Sequence, residues 1–141
     1  MNRKPVVYMA GGITGLSEAQ ATVWRLKARE MLRPEFNVLD PVTLVFNGEP
    51  FNDENPTARE ITDSNNFQIK NSDIILAEFE HRLPSIGTVG EIVKARCLYG
   101  TPIITWGKSG RHKHPWIKDH TTAHFDKLED AVNYIKNNYI L

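Results

Sequence analysis

Short apolar runs alternate with segments of helical periodicity along the whole chain, and this alternation restricts the fold more than any other feature. The run 6–10 is continuously apolar and ends at Gly11-Gly12, as expected of a parallel strand buried on both faces. We therefore predict a single α/β domain over residues 1–141, a three-layer sandwich with a mostly parallel five-stranded sheet of Rossmann-like or flavodoxin-like type. The predicted strands are 6–10, 36–39, 73–79, 102–106 and 124–125, and the predicted helices are 17–33, 57–71, 88–99 and the segment from 126 onward.

The charge balance argues against a nucleic-acid partner. The 17 Lys and Arg residues equal the 17 Asp and Glu residues, so an anion must be held by local groups rather than by an overall field. The sequence has no run of about 18 apolar residues, which predicts neither membrane insertion nor export. The single cysteine, Cys97, is expected to fill the core, with no histidine placed by spacing as its base, in a protein of the reducing cytoplasm.

The segment 83–92 is the predicted loop between the third strand and the following helix. Ligands of open α/β sheets bind at such loops, because helix N-termini there present unpaired N–H groups. Ser85, Gly87 and Gly90 would let the backbone approach a small anion closely, and Glu91 is expected in the first helical turn. A carboxylate beside such an anion-binding loop indicates chemistry on a nucleotide.

The same residues also permit a purely structural interpretation. Thr88 and Glu91 have capping-box spacing, in which the threonine begins the helix and the glutamate hydrogen-bonds back to its backbone N–H. Both interpretations of Glu91 remain open at this level.

Two further loops are candidate parts of a pocket. The segment 40–56 is long, contains three prolines and has little periodicity, which favours a lid or pocket wall. The segment 107–115 is polar and basic, so it is either a solvated loop or a phosphate-binding one. The spacing of its histidines and those that follow is not typical of zinc ligands, and we expect no metal: these are His112, His114, His120 and His124.

Three stretches together resemble the nucleoside 2-deoxyribosyltransferase superfamily over nearly the whole chain: 7–12 (VYMAGG), 71–77 (NSDIILA) and 85–91 (SIGTVGE), with GTPII at 100–104 behind them. The resemblance implies that Glu91 is the nucleophile that attacks the anomeric carbon of the sugar, and that Tyr8 orients it. The alternative for Tyr8 is simple packing in a strand. No cofactor is implied.

Within that superfamily, Ser85 resembles the branch that hydrolyses nucleoside 5′-monophosphates, in which a serine binds the phosphate. Deoxyribosyltransferases typically have an aspartate there, and a carboxylate would repel a phosphate dianion. The turn 12–15 (GITG) resembles the first phosphate-contacting turn of the hydrolases, although Thr14 replaces their usual arginine. The longer stretch 11–16 (GGITGL) also resembles phage-borne relatives. The expected substrate is thus a small nucleotide or nucleoside, which is hydrolysed or undergoes base exchange, and the implied binding residues are Gly11, Gly12, Ile13, Thr14, Gly15, Ser85, Gly87 and His114.

One departure from the family pattern concerns proton transfer to the leaving base. The family's aspartate in the helix before the third strand falls on Asn65, which lies between Ile61 and Ile69 on one helical line and cannot shuttle a proton. Either Asp63 takes this task, or solvent or another group does, or the chain is a nucleotide-binding module without activity.

The resemblance also implies assembly. Family members close their pockets with a residue from a neighbouring subunit, carried on the segment that corresponds to 114–118 here. We therefore expect a homodimer with shared active sites, in which His114 reaches the phosphate of the partner's substrate. Trp116 would otherwise be an exposed aromatic, unless it packs on its own domain.

Overall fold

The computed structural model describes residues 3–13, 15–41, 58–82 and 85–141. Five parallel strands form one sheet in the order β2-β1-β3-β4-β5, with helices on both faces, which confirms the predicted α/β sandwich. The strands are β1 (Val6–Ala10), β2 (Asn37–Leu39), β3 (Ile74–Glu78), β4 (Ile103–Trp106) and β5 (Ala123–Phe125). The α-helices of the described segments are α1 (Glu18–Leu32), α2 (Ala58–Lys70), α3 (Ile86–Tyr99), the short α4 (Pro115–Lys118) and α5 (Leu128–Asn138).

Two buried clusters cover the two faces of the sheet. One contains Val7 and Met9 of β1 with the buried faces of α1 and α5, and the other contains Tyr8 and Ala10 with Ile92 of α3. Successive side chains of a strand point to opposite faces, so a fully apolar β1 supplies both clusters. The continuous apolar run thus marked the most buried part of the fold.

The strand order reverses direction at β1, which pairs with β2 on one side and β3 on the other. In doubly wound sheets such a switch point leaves a crevice at the carboxyl ends of the two strands. Ala10 pairs with Ala77, so the loops that follow β1 and β3 lie next to each other at this crevice. The two glycine-containing loops selected from the sequence are therefore neighbours.

Two boundary predictions need correction. The N-cap of α3 is Ser85, which places the helix start at Ile86 rather than after Thr88. The N-cap of α5 is Lys127, without a side-chain hydrogen bond, so this helix starts at Leu128 rather than at 126. The sequence interpretation also missed α4, where Pro115 occupies the first helical position. The predicted lid at 40–56 falls largely outside the described residues, and so does residue 57, the predicted start of the second helix. None of the helices in the described segments is both long enough and apolar enough to cross a bilayer.

Candidate active site

The central contact of the site joins β1 to α3. The Tyr8 hydroxyl donates a hydrogen bond to Oε2 of Glu91, although the two residues lie 83 positions apart. Glu91 is the sixth residue of α3, in its second turn, and the cap at Ser85 leaves it no capping role. The capping-box interpretation of Glu91, and its placement in the first turn, are therefore wrong.

The surroundings of this pair change the acidity of both groups. Desolvation raises the pKa of Glu91 to about 7. The hydrogen bond from Tyr8 and the positive charges of Arg25 and Lys94 lower this pKa, but their effects are smaller. Burial and the adjacent carboxylate raise the pKa of Tyr8 far above its ordinary value, so its hydroxyl stays protonated and remains a donor. A carboxyl group poised near neutrality beside a fixed donor is typical of a catalytic position.

The glycine turn after β1 approaches the loop before α3. A Cβ atom placed on Gly12 would lie 4.0 Å from Cβ of Ser85, so these two predicted phosphate contacts do lie together. Gly11 is tightly packed, because an added Cβ would lie 2.8 Å from Cζ2 of Trp24. Ile13 accepts a hydrogen bond from the Leu16 N–H at 3.2 Å, which closes the turn. The remaining turn residues are Gly15, in a left-handed conformation with φ of 84°, and Thr14, which lies outside the described residues.

Ser85 has its hydroxyl engaged at the helix start. Its Oγ accepts from the backbone N–H of Thr88 at 3.3 Å and lies 2.5 Å from the Thr88 hydroxyl. Gly87 is exposed, and a Cβ atom there would meet nothing within 4 Å, so the first turn of α3 presents open backbone. Such a turn offers N–H groups to an anion.

The two candidates for proton transfer occupy different positions on α2. Asp63 is 63% exposed and pairs with Arg59 at 3.8 Å, one turn earlier. Asn65 is half-buried, and its Oδ1 is buried without a hydrogen-bond partner among the described residues. The side chain facing inward at the family's aspartate position is thus an amide, as the helical spacing predicted.

The segment after β4 places its aromatic residue at the surface. Trp116 is 60% exposed and stacks on His120 with ring centroids 5.8 Å apart. His114 is exposed and caps α4, because its Nδ1 accepts from the Trp116 N–H at 3.2 Å. The predicted role of His114 at a partner's phosphate concerns a second subunit and stays a prediction.

The prediction for Cys97 is wrong. Cys97 is exposed rather than part of the core, and its Sγ lies 3.7 Å from Nε2 of His120. Sequence spacing missed this neighbour because α4 packs against α3 only in the folded chain. His124 lies in β5, where a strand was predicted, and its ring stacks on that of His112 with the ring centroids 3.5 Å apart. Within the described ranges, no group of three or more His, Cys, Asp or Glu side chains is placed to hold a metal ion.

The sequence interpretation missed Arg25 on the buried face of α1. Arg25 is only 1% exposed, and its guanidinium bridges the end of β1 to Asp40, which follows β2. A usable signal existed, because Arg25 interrupts the apolar face formed by Ala21, Trp24 and Ala28. A charged residue on such a face needs a buried partner.

No family model and no curated protein matches the sequence. Among solved structures, a 2-deoxyribosyltransferase from the psychrotolerant bacterium Bacillus psychrosaccharolyticus matches at 19% identity and a TM-score of 0.73, with 92% of this chain and 91% of that protein covered. A conserved protein from Enterococcus faecalis matches at 16% identity and a TM-score of 0.70, with 96% and 99% covered. A molybdenum cofactor binding protein from Rippkaea orientalis matches at 16% identity and a TM-score of 0.58, with 96% and 97% covered.

These likenesses establish the class of fold. The chain has the α/β fold of the 2-deoxyribosyltransferase over nearly its whole length, which confirms at the level of fold the resemblance carried by the three sequence stretches. At these identities the likeness is one of fold alone, and the same fold is found in a protein that binds a molybdenum cofactor. The function must be argued from the site.

Proposed function

We propose that this protein is an N-glycosidase that cleaves the base–sugar bond of nucleoside or deoxynucleoside 5′-monophosphates. The observation that carries the proposal is the hydrogen bond from Tyr8 to Glu91 at the switch-point crevice, beside the Gly12 turn and Ser85. A buried strand residue and a helix residue meet there in the geometry of an oriented nucleophile. The fold shared with a 2-deoxyribosyltransferase supports the same chemistry.

The proposed reaction has two displacement steps. The Tyr8 hydroxyl holds Oε2 of Glu91, which leaves Oε1 to attack C1′ of the sugar. A C–O ester bond forms as the C1′–N bond breaks, and the bonding pair leaves with the base. Water then attacks C1′ of the glycosyl ester, restores the Glu91 carboxylate and releases the sugar 5-phosphate. The net change adds one water, its proton ending on the base.

Proton delivery to the base is assigned to solvent. The amide of Asn65 has no acidic proton to transfer, and Asp63 is exposed and paired with Arg59. A base that accepts its proton from water leaves more slowly than one protonated by a positioned acid, which typically contributes about 10²–10⁴-fold. We therefore expect slow turnover, fastest for bases that are good leaving groups.

The phosphate is proposed to bind at the turn after β1 and the start of α3. The open first turn of α3 and the Ser85 hydroxyl attract an anion, and the dipole of the 14-residue helix adds to this attraction. Binding energy from the phosphate then places C1′ against Glu91, so removal of the phosphate should reduce kcat as well as raise KM.

The test is incubation with a panel of ribo- and deoxyribonucleoside monophosphates and the matching nucleosides, with free base measured by chromatography. Base and sugar phosphate in equal amounts support hydrolysis. A new nucleotide or nucleoside formed after addition of a second base indicates base exchange. Binding without base release from any compound would reject both enzymes in favour of a nucleotide-binding module, the alternative that Asn65 favours.

Ser85→Asp tests the phosphate assignment. The introduced carboxylate opposes the phosphate dianion, so we expect the ratio of kcat/KM for monophosphate over free nucleoside to fall by at least about tenfold. Ser85→Asn serves as a control, because asparagine keeps an N-cap oxygen and adds no charge. An unchanged ratio in Ser85→Asp would place the phosphate elsewhere.

We further propose a homodimer in which the segment 114–118 closes the partner's pocket. The exposed Trp116, stacked on His120 at the surface, supports a contact with a second copy. His114 would then contribute to substrate binding across the interface, so His114→Ala should weaken monophosphate binding and leave the dimer intact.

Subunit mixing tests the shared site. Glu91→Ala and His114→Ala are each impaired alone, but a mixed dimer has one site with both changes and one with neither. Random exchange of equal amounts should restore about a quarter of wild-type activity, since half the dimers are mixed and each has one intact site. Mixing Glu91→Ala with Glu91→Gln is the matched control and should restore nothing. A monomer in sedimentation, or no restoration after verified exchange, would reject the shared site.

A further inference from the structure

Arg25 compensates for the shortness of β2. The carbonyl of Pro5, just before β1, accepts from Asn37 of β2. The carbonyl of Val6, the first residue of β1, accepts from Asp73 just before β3, so successive carbonyls alternate between the two neighbours. The Met9 carbonyl faces the β2 side, yet pairing with β2 ends at Tyr8 and Leu39. Without another donor, this carbonyl at the end of β1 would be buried and unpaired.

The guanidinium supplies the missing donors. Its Nη1 donates to the Met9 carbonyl at 2.7 Å, its Nη2 donates to the Gly11 carbonyl at 3.1 Å, and its Nε donates to Ala21 of the same helix at 2.8 Å. Nη1 also contacts Oδ1 of Asp40 at 3.0 Å, and this carboxylate balances the buried charge. The planar fork fits several acceptors at once, as a lysine could not.

Two parts of the candidate site depend on this arrangement. Gly11 begins the turn that carries Gly12 to Ser85, so fixing its carbonyl fixes the proposed phosphate turn. The positive charge of Arg25 also acts on the Glu91 carboxyl group and on the Tyr8 hydroxyl. One side chain therefore affects both the proposed phosphate-binding turn and the proposed nucleophile.

We propose that Arg25, balanced by Asp40, is a positioning residue for the proposed reaction, which holds the Gly11 turn and supplies a fixed positive charge near Glu91. The inference rests on the proposed function for its catalytic meaning. Asp40 sets the strength of the electrostatic field of Arg25 at Glu91, because the negative charge of Asp40 partly cancels the positive charge of Arg25.

Other titratable groups that act on Glu91 must stay constant in the test. Tyr8 contacts it from β1, and Lys94 acts on it from its own helix. Lys94 is in turn 3.4 Å from Asn66 of α2, the helix packed against α3. None of these three residues is altered in the variants below.

The experiment measures the ionisation of Glu91 directly. The side-chain carboxyl carbon of ¹³C-labelled glutamate is followed by NMR against pH, and the signal is assigned by its loss in Glu91→Gln. Arg25→Gln removes the charge and should move the midpoint upward by roughly one pH unit from its value near 7. Asp40→Asn removes the cancelling charge and should move it downward. Arg25→Lys keeps the charge and should leave the midpoint in place.

Kinetics supply the second readout. The acid limb of the kcat/KM profile should follow the NMR midpoint in each variant, because Glu91 attacks only when ionised. Arg25→Lys should raise KM for the monophosphate severalfold with no movement of that limb, since the lysine cannot hold the Gly11 carbonyl and Asp40 together.

Opposite movements in Arg25→Gln and Asp40→Asn support the inference, whereas unchanged midpoints, or movements of the same sign, overturn it. If Arg25→Gln does not fold, a downward movement in Asp40→Asn with an unmoved midpoint in Arg25→Lys supports the inference, and an unmoved or upward midpoint in Asp40→Asn overturns it. Opposite NMR movements in a protein that releases no base would reject the proposed function and leave the electrostatic role of Arg25 standing. Base release by a protein whose variants show unmoved midpoints would support the proposed function and reject the electrostatic role of Arg25.

Discussion

Glu91→Gln is expected to lower base release by about a thousandfold or more, because the amide that replaces the carboxylate cannot act as the nucleophile. The fold should remain intact, since the glutamine can still accept a hydrogen bond from Tyr8 and the N-cap of α3 is Ser85 rather than Glu91. Release of free base is measured by chromatography, and the fold by circular dichroism. Wild-type activity in Glu91→Gln would reject Glu91 as the nucleophile.

The same substitution should stabilise the protein at high pH. The folded-state pKa of Glu91 is about 7 and its ordinary value is 4.5, so the wild-type protein loses folding free energy as the pH rises through this window. The full loss corresponds to roughly 3 kcal/mol. Glutamine does not titrate, so the unfolding free energy of Glu91→Gln should exceed that of the wild type at pH 8 and match it near pH 4.

Urea unfolding at both pH values measures this difference. Glu30→Gln is the matched control, because it makes the same change at an exposed position on α1 and should alter the unfolding free energy by less than about 0.5 kcal/mol. A Glu91→Gln protein that is no more stable than the wild type at pH 8 would contradict the desolvated state of this carboxyl group. A gain in stability joined to a loss of activity is the pattern expected of a catalytic group.

Gly107→Ala is expected to destabilise the fold by at least about 3 kcal/mol. Gly107 follows β4 with φ of 126°, and a Cβ atom there would overlap the Phe79 carbonyl group and the backbone nitrogen of Glu80. These backbone atoms cannot move away easily, because the Phe79 N–H donates to the Trp106 carbonyl and the Phe79 carbonyl accepts from the Ser109 N–H. Unfolding in urea, or loss of soluble folded protein, measures the effect.

Gly110→Ala separates the clash from backbone strain. Gly110 also has a positive φ, of 84°, but an added Cβ atom would meet nothing within 4 Å. Its replacement should cost only the roughly 1–2 kcal/mol of a left-handed alanine. Equal losses of unfolding free energy in Gly107→Ala and Gly110→Ala would show that the packing of the β3 and β4 ends tolerates a Cβ atom at Gly107.

The sequence by itself determined the layout of this protein. The alternation of apolar runs with helical periodicity fixed the class of fold, and a two-sided apolar run identified β1 as a central strand. Periodicity also placed Asn65 facing inward on α2. These features depend on neighbours within a few residues, so local pattern was sufficient to predict them.

Only the tertiary structure decided what the chemical groups do. The sequence left Glu91 with two interpretations. The choice came from the side chain of Ser85, which caps α3, and from Tyr8, which lies 83 positions away. Arg25 breaks the apolar face of α1, and its partners, the end of β1 and Asp40, meet it only when the sheet forms. Cys97 acquired its neighbour His120 in the same way. Pairings of this kind depend on how helices and strands pack in three dimensions, which local periodicity does not encode.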